Sequence, residues 1–245
     1  MSGGQEERIE TLSSKGLQII QRPDWPCFST DALLLADFAP VNDDDLIADL
    51  GCGSGIIPLL LSAKAASRHI YGLELMPALA DLAKRSVKLN DLKRQITILE
   101  KDLCQASALL GQSLFDLVTA NPPYGKKEAA RISPDLLFAA ARNEIFCTME
   151  DVIREAAALL KDGGHLALVQ KAERQQEAMQ LCCRYGLYPK LWRWIRSLPE
   201  QKPYIFLLLA EKNNHCRLRQ LEDLLIYEAP GRYSLEAAGI LGGKR

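Results

Sequence analysis

No two of the seven cysteines in this 245-residue chain stand at C-x-x-C spacing. That argues against zinc-ribbon and thioredoxin-type readings. Their odd number, with no secretory leader in the sequence, points to free thiols in a reducing cytoplasm. His69, His165 and His215 show no ligand spacing, so no metal is expected. The longest apolar run, "YIFLLLA" from Tyr204 to Ala210, falls far short of the ~20 residues that span a bilayer, so no membrane partner is expected. The net charge is -1, which by itself marks no strong polyanion binder. There is no internal repeat and no low-complexity tract.

What is present is an ordinary globular mix, 48% hydrophobic and 25% charged, enough for one sizeable core. The charge is uneven. Residues 161–245 carry 14 Lys+Arg against 9 Asp+Glu, and the first 160 carry 16 against 22. A mildly basic C-terminal part suits a polyanionic partner and equally a solvated surface.

Strand-like and helix-like segments alternate from residue 46. Strands are expected at Leu46 to Leu50, His69 to Glu74, Gln95 to Leu99, Phe115 to Ala120 and His165 to Gln170. Two closing strands follow, at Leu191 to Arg196 and Tyr204 to Ala210. Helical spacing covers Ile56 to Ala66, Pro77 to Asn90, Arg142 to Leu160 and Ala172 to Arg184, and Asp102 to Leu110 can form a short helix capped by Asp102. "KDGG" at Lys161 to Gly164 reads as a helix stop. This βαβα order argues for a parallel sheet with helices on both faces. We expect a flexible segment over 1–24, one domain over 25–212, and an extension over 213–245. In that extension Pro230-Gly231 can turn a β-hairpin packed on the domain.

"ADLGCGSGIIPLLL" puts Gly51, Gly53 and Gly55 between the first strand and its helix. Such a loop lets a ligand approach the backbone at the positive end of a helix. The pattern is not the G-x-G-x-x-G of nicotinamide enzymes, and no Gly-Lys-Ser/Thr follows to make a P-loop. Glu74 ends the second strand, where a carboxylate can accept from both ribose hydroxyls. Asp102 follows the third strand, where it can accept from an adenine amine or serve only as a helix cap. Asp49 would repel a pyrophosphate. It suits a ligand with a cationic centre, and S-adenosylmethionine, with an ammonium and a sulfonium, fits.

"DLGCGSG", "GLELMPALADLAKRSVKLN", Asp102-Leu103 and "FDLVTANPPYG" resemble, in order and spacing, the motifs of class I S-adenosylmethionine-dependent methyltransferases. The Asn-Pro-Pro-Tyr element is similar to that of the amino-methylating branch. "FSTDALLLADFAP" (Phe28 to Pro40) and "ARNE" (Ala141 to Glu144) resemble segments of bacterial tRNA adenine-N6 methyltransferases that act beside the anticodon of valine tRNA. The resemblance implies a Rossmann-like, doubly wound, mostly parallel seven-stranded sheet of order 3-2-1-4-5-7-6. It implies that Asp49, Gly51, Gly53, Gly55, Glu74, Leu75, Asp102, Leu103 and Asn121 hold the cofactor, with Thr30 or Asp31 closing over its methionine end. The product would be S-adenosylhomocysteine. Asn121, Pro122, Pro123 and Tyr124 would hold the target amine.

The chemistry needs such a motif. An exocyclic adenine nitrogen is a poor nucleophile because its lone pair is delocalised. The Asn121 side-chain oxygen and the Pro122 carbonyl can accept its two N–H bonds and let it pyramidalise. Two prolines fix that loop, and Tyr124 offers a face for an extruded base. Lys126, Lys127 and Arg131 follow directly and are the candidate RNA-phosphate contacts. In "RYGLYPKLWRWIR" (Arg184 to Arg196), Trp192 and Trp194 share a strand face and are expected in the core, with Arg193 at the surface. The expected partner is RNA, and tRNA in particular. Glutamine methylation on a protein such as a release factor uses the same motif, but only about 45 residues precede the first strand, too few for the helical domain those enzymes carry. DNA adenine methylation lacks a target-recognition domain here. A non-catalytic S-adenosylmethionine-binding scaffold is the non-enzyme alternative. The oligomeric state is left open.

Overall fold

A computed structural model describes residues 6–12, 16–23, 25, 27, 29–122, 147–215 and 217–242. The central sheet is built from β3 (Leu46–Leu50), β4 (His69–Glu74), β5 (Ile96–Glu100), β6 (Phe115–Ala120), β7 (Leu160–Lys171), β8 (Leu187–Arg196) and β9 (Ile205–Lys212). Their order is β5-β4-β3-β6-β7-β9-β8. Counted from Leu46, that is the expected 3-2-1-4-5-7-6. Only β9 runs against its neighbours among these seven. β10 (Arg219–Gln220) and β11 (Leu224–Leu225) extend the edge at β8.

Alternation along each strand assigns its side chains to two cores. On β3, Ile47 enters one core, with α1 (Thr30–Phe38), α2 (Ile56–Ser62) and α3 (Pro77–Leu89). Ala48 and Leu50 enter the other, with α4 (Ala106–Leu110), α5 (Met149–Leu159) and α6 (Gln175–Arg184). With both faces covered, β6 carries Leu117, Val118, Thr119 and Ala120 all buried. Among the described residues, no helix is long and apolar enough to cross a membrane.

Three sequence expectations are corrected. Residues 8–12 and 17–21 are not a flexible segment. β1 (Arg8–Leu12) and β2 (Leu17–Gln21) form an antiparallel hairpin, and Ile19 is fully buried. Polar groups of α3 complete the free edge of β2. Gln18 N–H donates to Asn90 Oδ1 at 2.8 Å, Asn90 Nδ2 donates to the Gln18 carbonyl at 2.6 Å, and Ile20 N–H donates to Ser86 Oγ at 3.0 Å. Arg85 grips Glu7 with two bonds of 2.6 and 2.8 Å. These partners lie 66 to 78 residues away, beyond any local pattern. Asn90→Ala is expected to destabilise the protein by about 1–3 kcal/mol, because two backbone groups of β2 lose their partner. Urea denaturation measures this, and an unchanged midpoint would deny the hairpin its anchor.

Second, "KDGG" does not separate helix from strand. α5 ends at Leu159 and β7 begins at Leu160, which pairs with Phe115 before the register shifts. Gly163 has φ 78°, and a Cβ on Gly164 would lie 2.9 Å from the Phe115 carbonyl oxygen. The glycines form a bulge inside the strand. Third, Arg193 does not face open solvent. It pairs with Glu236 of the C-terminal helix α7 (Leu235–Leu241) at 2.8 Å, with its side chain 16% exposed. Trp192 and Trp194 pack edge-to-face at 4.8 Å against the core formed with α5 and α6. Between β11 and α7, β12 (Tyr227–Ala229) and β13 (Arg232–Tyr233) make a small hairpin turned at Pro230-Gly231.

Candidate active site

β3 and β4 end side by side, and the chain then turns sharply. Gly51 N–H and Cys52 N–H both donate to the Leu73 carbonyl at 2.9 Å. Gly51, Gly53 and Gly55 have φ of 79°, 55° and 90°, all left-handed. Side chains would strain each of them. Gly55 is doubly constrained, since its Cβ would stand 3.1 Å from Ala83 Cβ on α3. The third glycine therefore lets the loop lie against that helix.

Glu74 closes the loop from the neighbouring strand. Its Oε2 accepts from Gly53 N–H at 2.9 Å and its Oε1 from Met76 N–H at 2.8 Å. Burial raises its pKa above the usual carboxylate value, and the two amides oppose that rise. Leu75, directly after it, is an exposed apolar side chain. After β5, Asp102 Oδ1 accepts from Cys104 N–H at 2.9 Å and caps the short turn Leu103–Gln105. Leu103 Cδ2 lies 3.7 Å from where a Cβ on Gly51 would stand. Asp49, the three glycines, Glu74, Leu75, Asp102 and Leu103 thus converge at the carboxyl ends of three adjacent strands, where ligands bind in open α/β sheets.

Asp49 is fully buried. Its strand neighbour Thr119 donates an O–H to Oδ1 at 2.6 Å, while Oδ2 has no partner among the described residues. Burial pushes its pKa up to about 7, against the Thr119 bond and helped by the charge of Glu74. A buried, unpaired carboxylate oxygen calls for a partner, and an ammonium has the chemistry to be one. The pH consequence follows from the sign of the shift. The folded protein holds this proton more tightly than the unfolded chain. Burial of Asp49 therefore costs nothing below about pH 4 and progressively more as pH rises through about 7. Asp49→Asn, a neutral mimic, is expected to exceed the ligand-free wild type in stability at pH 8 by up to about 4 kcal/mol. It should match the wild type near pH 4. Urea denaturation at the two pH values checks this, and a gain independent of pH would contradict it.

Asn121 and Pro122 follow β6. Ala120 pairs with Leu50, the residue before Gly51. The motif therefore leaves the sheet beside the glycine loop. Pro123, Tyr124, Lys126, Lys127, Arg131 and Ala141 to Glu144 lie outside the described residues. Thr30 and Asp31 open α1. Asp31 is buried, and its charge joins burial in raising the pKa of Tyr204, just before β9.

Part of the basic C-terminal charge is engaged within the protein. Arg184, Lys190 and Arg196 pair with Glu150, Glu211 and Asp223, as Arg193 does with Glu236. Metal-type donors converge at Cys104, Cys147 and Asp151, within 4.8 Å of one another. There Asp151 is already engaged. It completes a capping box with Thr148 and pairs with Arg154 at 2.7 Å.

Three residues here are missed by sequence reasoning. Thr119 is found only through the register that pairs it with Asp49. Gln21 and Ser54 meet across the docked hairpin, with Gln21 Nε2 donating to Ser54 Oγ at 2.9 Å.

A doubly wound sheet with a glycine loop, an acid ending the next strand and an Asn-Pro exit from the fourth strand defines a class I methyltransferase. Residues 28–184 match the family described as methyltransferase small domain. The chain belongs to that family and so to the S-adenosylmethionine-dependent methyltransferases. It is similar to the tRNA1(Val) (adenine(37)-N6)-methyltransferase of Porphyromonas gingivalis, at 28% identity over 84% of each chain. The enzyme of the same name from Bacteroides thetaiotaomicron is 29% identical, over 84% of this chain and 85% of that one. Among solved structures, a predicted O-methyltransferase of Agrobacterium tumefaciens superposes with TM-score 0.70 at 24% identity, covering 86% of this chain and 95% of that one. The tRNA m1G37 methyltransferase of M. jannaschii gives 0.61 at 18%, covering 86% and 55%. These last two are likenesses of fold.

Proposed function

We propose that this protein methylates the exocyclic N6 amine of an adenosine in tRNA, in the cytoplasm. The observation that carries the reading is the exit of Asn121-Pro122 from β6 beside Gly51 and Asp49. On this reading Asn121 and Pro122 offer acceptors for an amine beside the loop assigned to the cofactor. The names of the similar P. gingivalis and B. thetaiotaomicron enzymes support the same substrate.

The site fits S-adenosylmethionine, because the unpaired Asp49 Oδ2 calls for a cationic donor. When bound, that cofactor supplies an electrophilic methyl group on a sulfonium. In our assignment Glu74 receives the ribose hydroxyls, Asp102 the adenine amine, and Leu75 and Leu103 bracket the base. Gly51, Gly53 and Gly55 admit it, and Thr30 or Asp31 covers its methionine end. The Asn121 side-chain oxygen and the Pro122 carbonyl hold the two N–H bonds of the target amine and favour its pyramidal form. Pro123 and Tyr124 are assigned from the sequence alone, the proline to fix φ and the tyrosine to offer a face to an extruded base. With that cofactor bound, the new N–C bond would replace the S–C bond, whose electron pair would stay on sulfur, and the amine proton would leave to water. No strong base is required.

Lys126, Lys127 and Arg131 are assigned to RNA phosphates. Neutralising all three is expected to flatten the salt dependence of tRNA binding by about 0.7–0.9 log unit per lost contact, with cofactor affinity unchanged. An unaltered slope would move the RNA surface elsewhere. The function itself is tested by nucleoside mass spectrometry of total tRNA from a deletion strain. N6-methyladenosine should fall and return on complementation. Unchanged levels would refute the assignment.

A further inference from the structure

Gln21 ends β2 and is 1% exposed, yet its side chain is only half satisfied. Nε2 donates to Ser54 Oγ, and Oε1 has no partner among the described residues. Ser54 stands between Gly53 and Gly55 and is buried too. The hairpin that carries Gln21 is fastened to α3 through Ser86 and Asn90. The same helix carries Ala83, against which Gly55 lies. Hairpin, helix and glycine loop therefore form one block, with Gln21 at their junction. Glu74 holds the loop from one neighbour, at Gly53, and Gln21 from another, at Ser54.

A buried carbonyl oxygen without a donor is costly, and native proteins supply a partner from protein, water or ligand. Two buried acceptor atoms without partners adjoin this loop, Gln21 Oε1 and Asp49 Oδ2. One is neutral and one belongs to an acid. The adenosine half of the cofactor is already matched by Glu74 and Asp102. The methionine half carries an ammonium with three N–H donors, more than one carboxylate oxygen can receive. We propose that the N-terminal hairpin is a wall of the cofactor site and that Gln21 is a cofactor-binding residue, its carboxamide oxygen accepting from the ammonium of the methionine end. The proposal rests on the S-adenosylmethionine reading above.

Two ligands separate a contact from an effect on loop shape. S-adenosylhomocysteine carries the amino-acid end, and methylthioadenosine shares the adenosine and thioether but lacks it. Calorimetry on Gln21→Leu is expected to show S-adenosylhomocysteine weakened about 10- to 100-fold, as for loss of a hydrogen bond to a charged group. Methylthioadenosine should bind as it does to the wild type. Gln21→Glu keeps an acceptor and should retain S-adenosylhomocysteine, and it also guards against a leucine variant that fails to fold. Equal weakening of both ligands in Gln21→Leu would overturn the proposal, because Gln21 would then act only on the loop through Ser54. Unchanged binding of both would overturn it as well. A wild-type protein that binds neither ligand would instead remove the cofactor reading beneath it.

Discussion

Asn121→Ala is expected to slow single-turnover methyl transfer by a factor on the order of 10²–10³, as for other oriented hydrogen bonds that strengthen in the transition state. Asn121 leaves β6 one residue after Ala120, whose partner Leu50 leads into the glycine loop. An acceptor fixed there matters most as the amine loses its planarity. The planar ground state needs it less, so affinity for bulk tRNA should barely change, because phosphate contacts dominate that affinity. Asn121→Asp keeps the acceptor and should retain more activity than alanine. Near wild-type rates in Asn121→Ala would leave the motif as only a rigid end to a strand.

Glu74→Ala is expected to weaken S-adenosylhomocysteine binding by at least about tenfold and up to about 100-fold. Two losses combine. The ribose hydroxyls lose a charged acceptor, and Gly53 N–H and Met76 N–H lose theirs. The second loss makes an unusual prediction for Glu74→Gln. Both carboxylate oxygens face a backbone N–H, so a glutamine must turn its NH2 toward one of those donors. Glu74→Gln should therefore rescue little, whereas Asp49→Asn should keep the fold and gain stability at high pH. Calorimetry on both Glu74 variants, with a thermal melt to confirm folding, gives the answer. Wild-type affinity in Glu74→Gln would show that the carboxylate charge and its two amide bonds are dispensable.

The glycine loop, Asp49 and Glu74 are readable in the sequence because their signal is local. Left-handed turns demand glycine, and the spacing to the end of the next strand follows from one βαβ unit. The sheet order was legible because four motifs fall in sequence with the right separations. Thr119 was not, because a threonine inside "FDLVTA" looks like any strand residue until the register sets it beside Asp49. The pairing of β1 with β2 hid for a related reason. β2 finishes its hydrogen bonding on side chains of a helix, a pairing that no period along the chain reveals. The glycines of "KDGG" misled in the opposite direction, since a left-handed glycine ends a helix and bulges a strand alike. Composition left the C-terminus open, since its basic surplus suits a polyanion or a solvated surface alike, and Arg184, Lys190, Arg193 and Arg196 meet acids of the same chain.

The central claim is that Asn121-Pro122 presents an adenine amine, and not a protein amide, to the bound methyl donor. Unmodified tRNA and a bacterial release factor, each incubated with the purified protein and isotopically labelled S-adenosylmethionine, then digested and read by mass spectrometry, test it most directly. The account predicts labelled N6-methyladenosine at one position of one tRNA, formed more slowly by a factor on the order of 10²–10³ in Asn121→Ala, and no labelled glutamine. Labelled glutamine in the release factor with unlabelled tRNA, or label in neither, would contradict it.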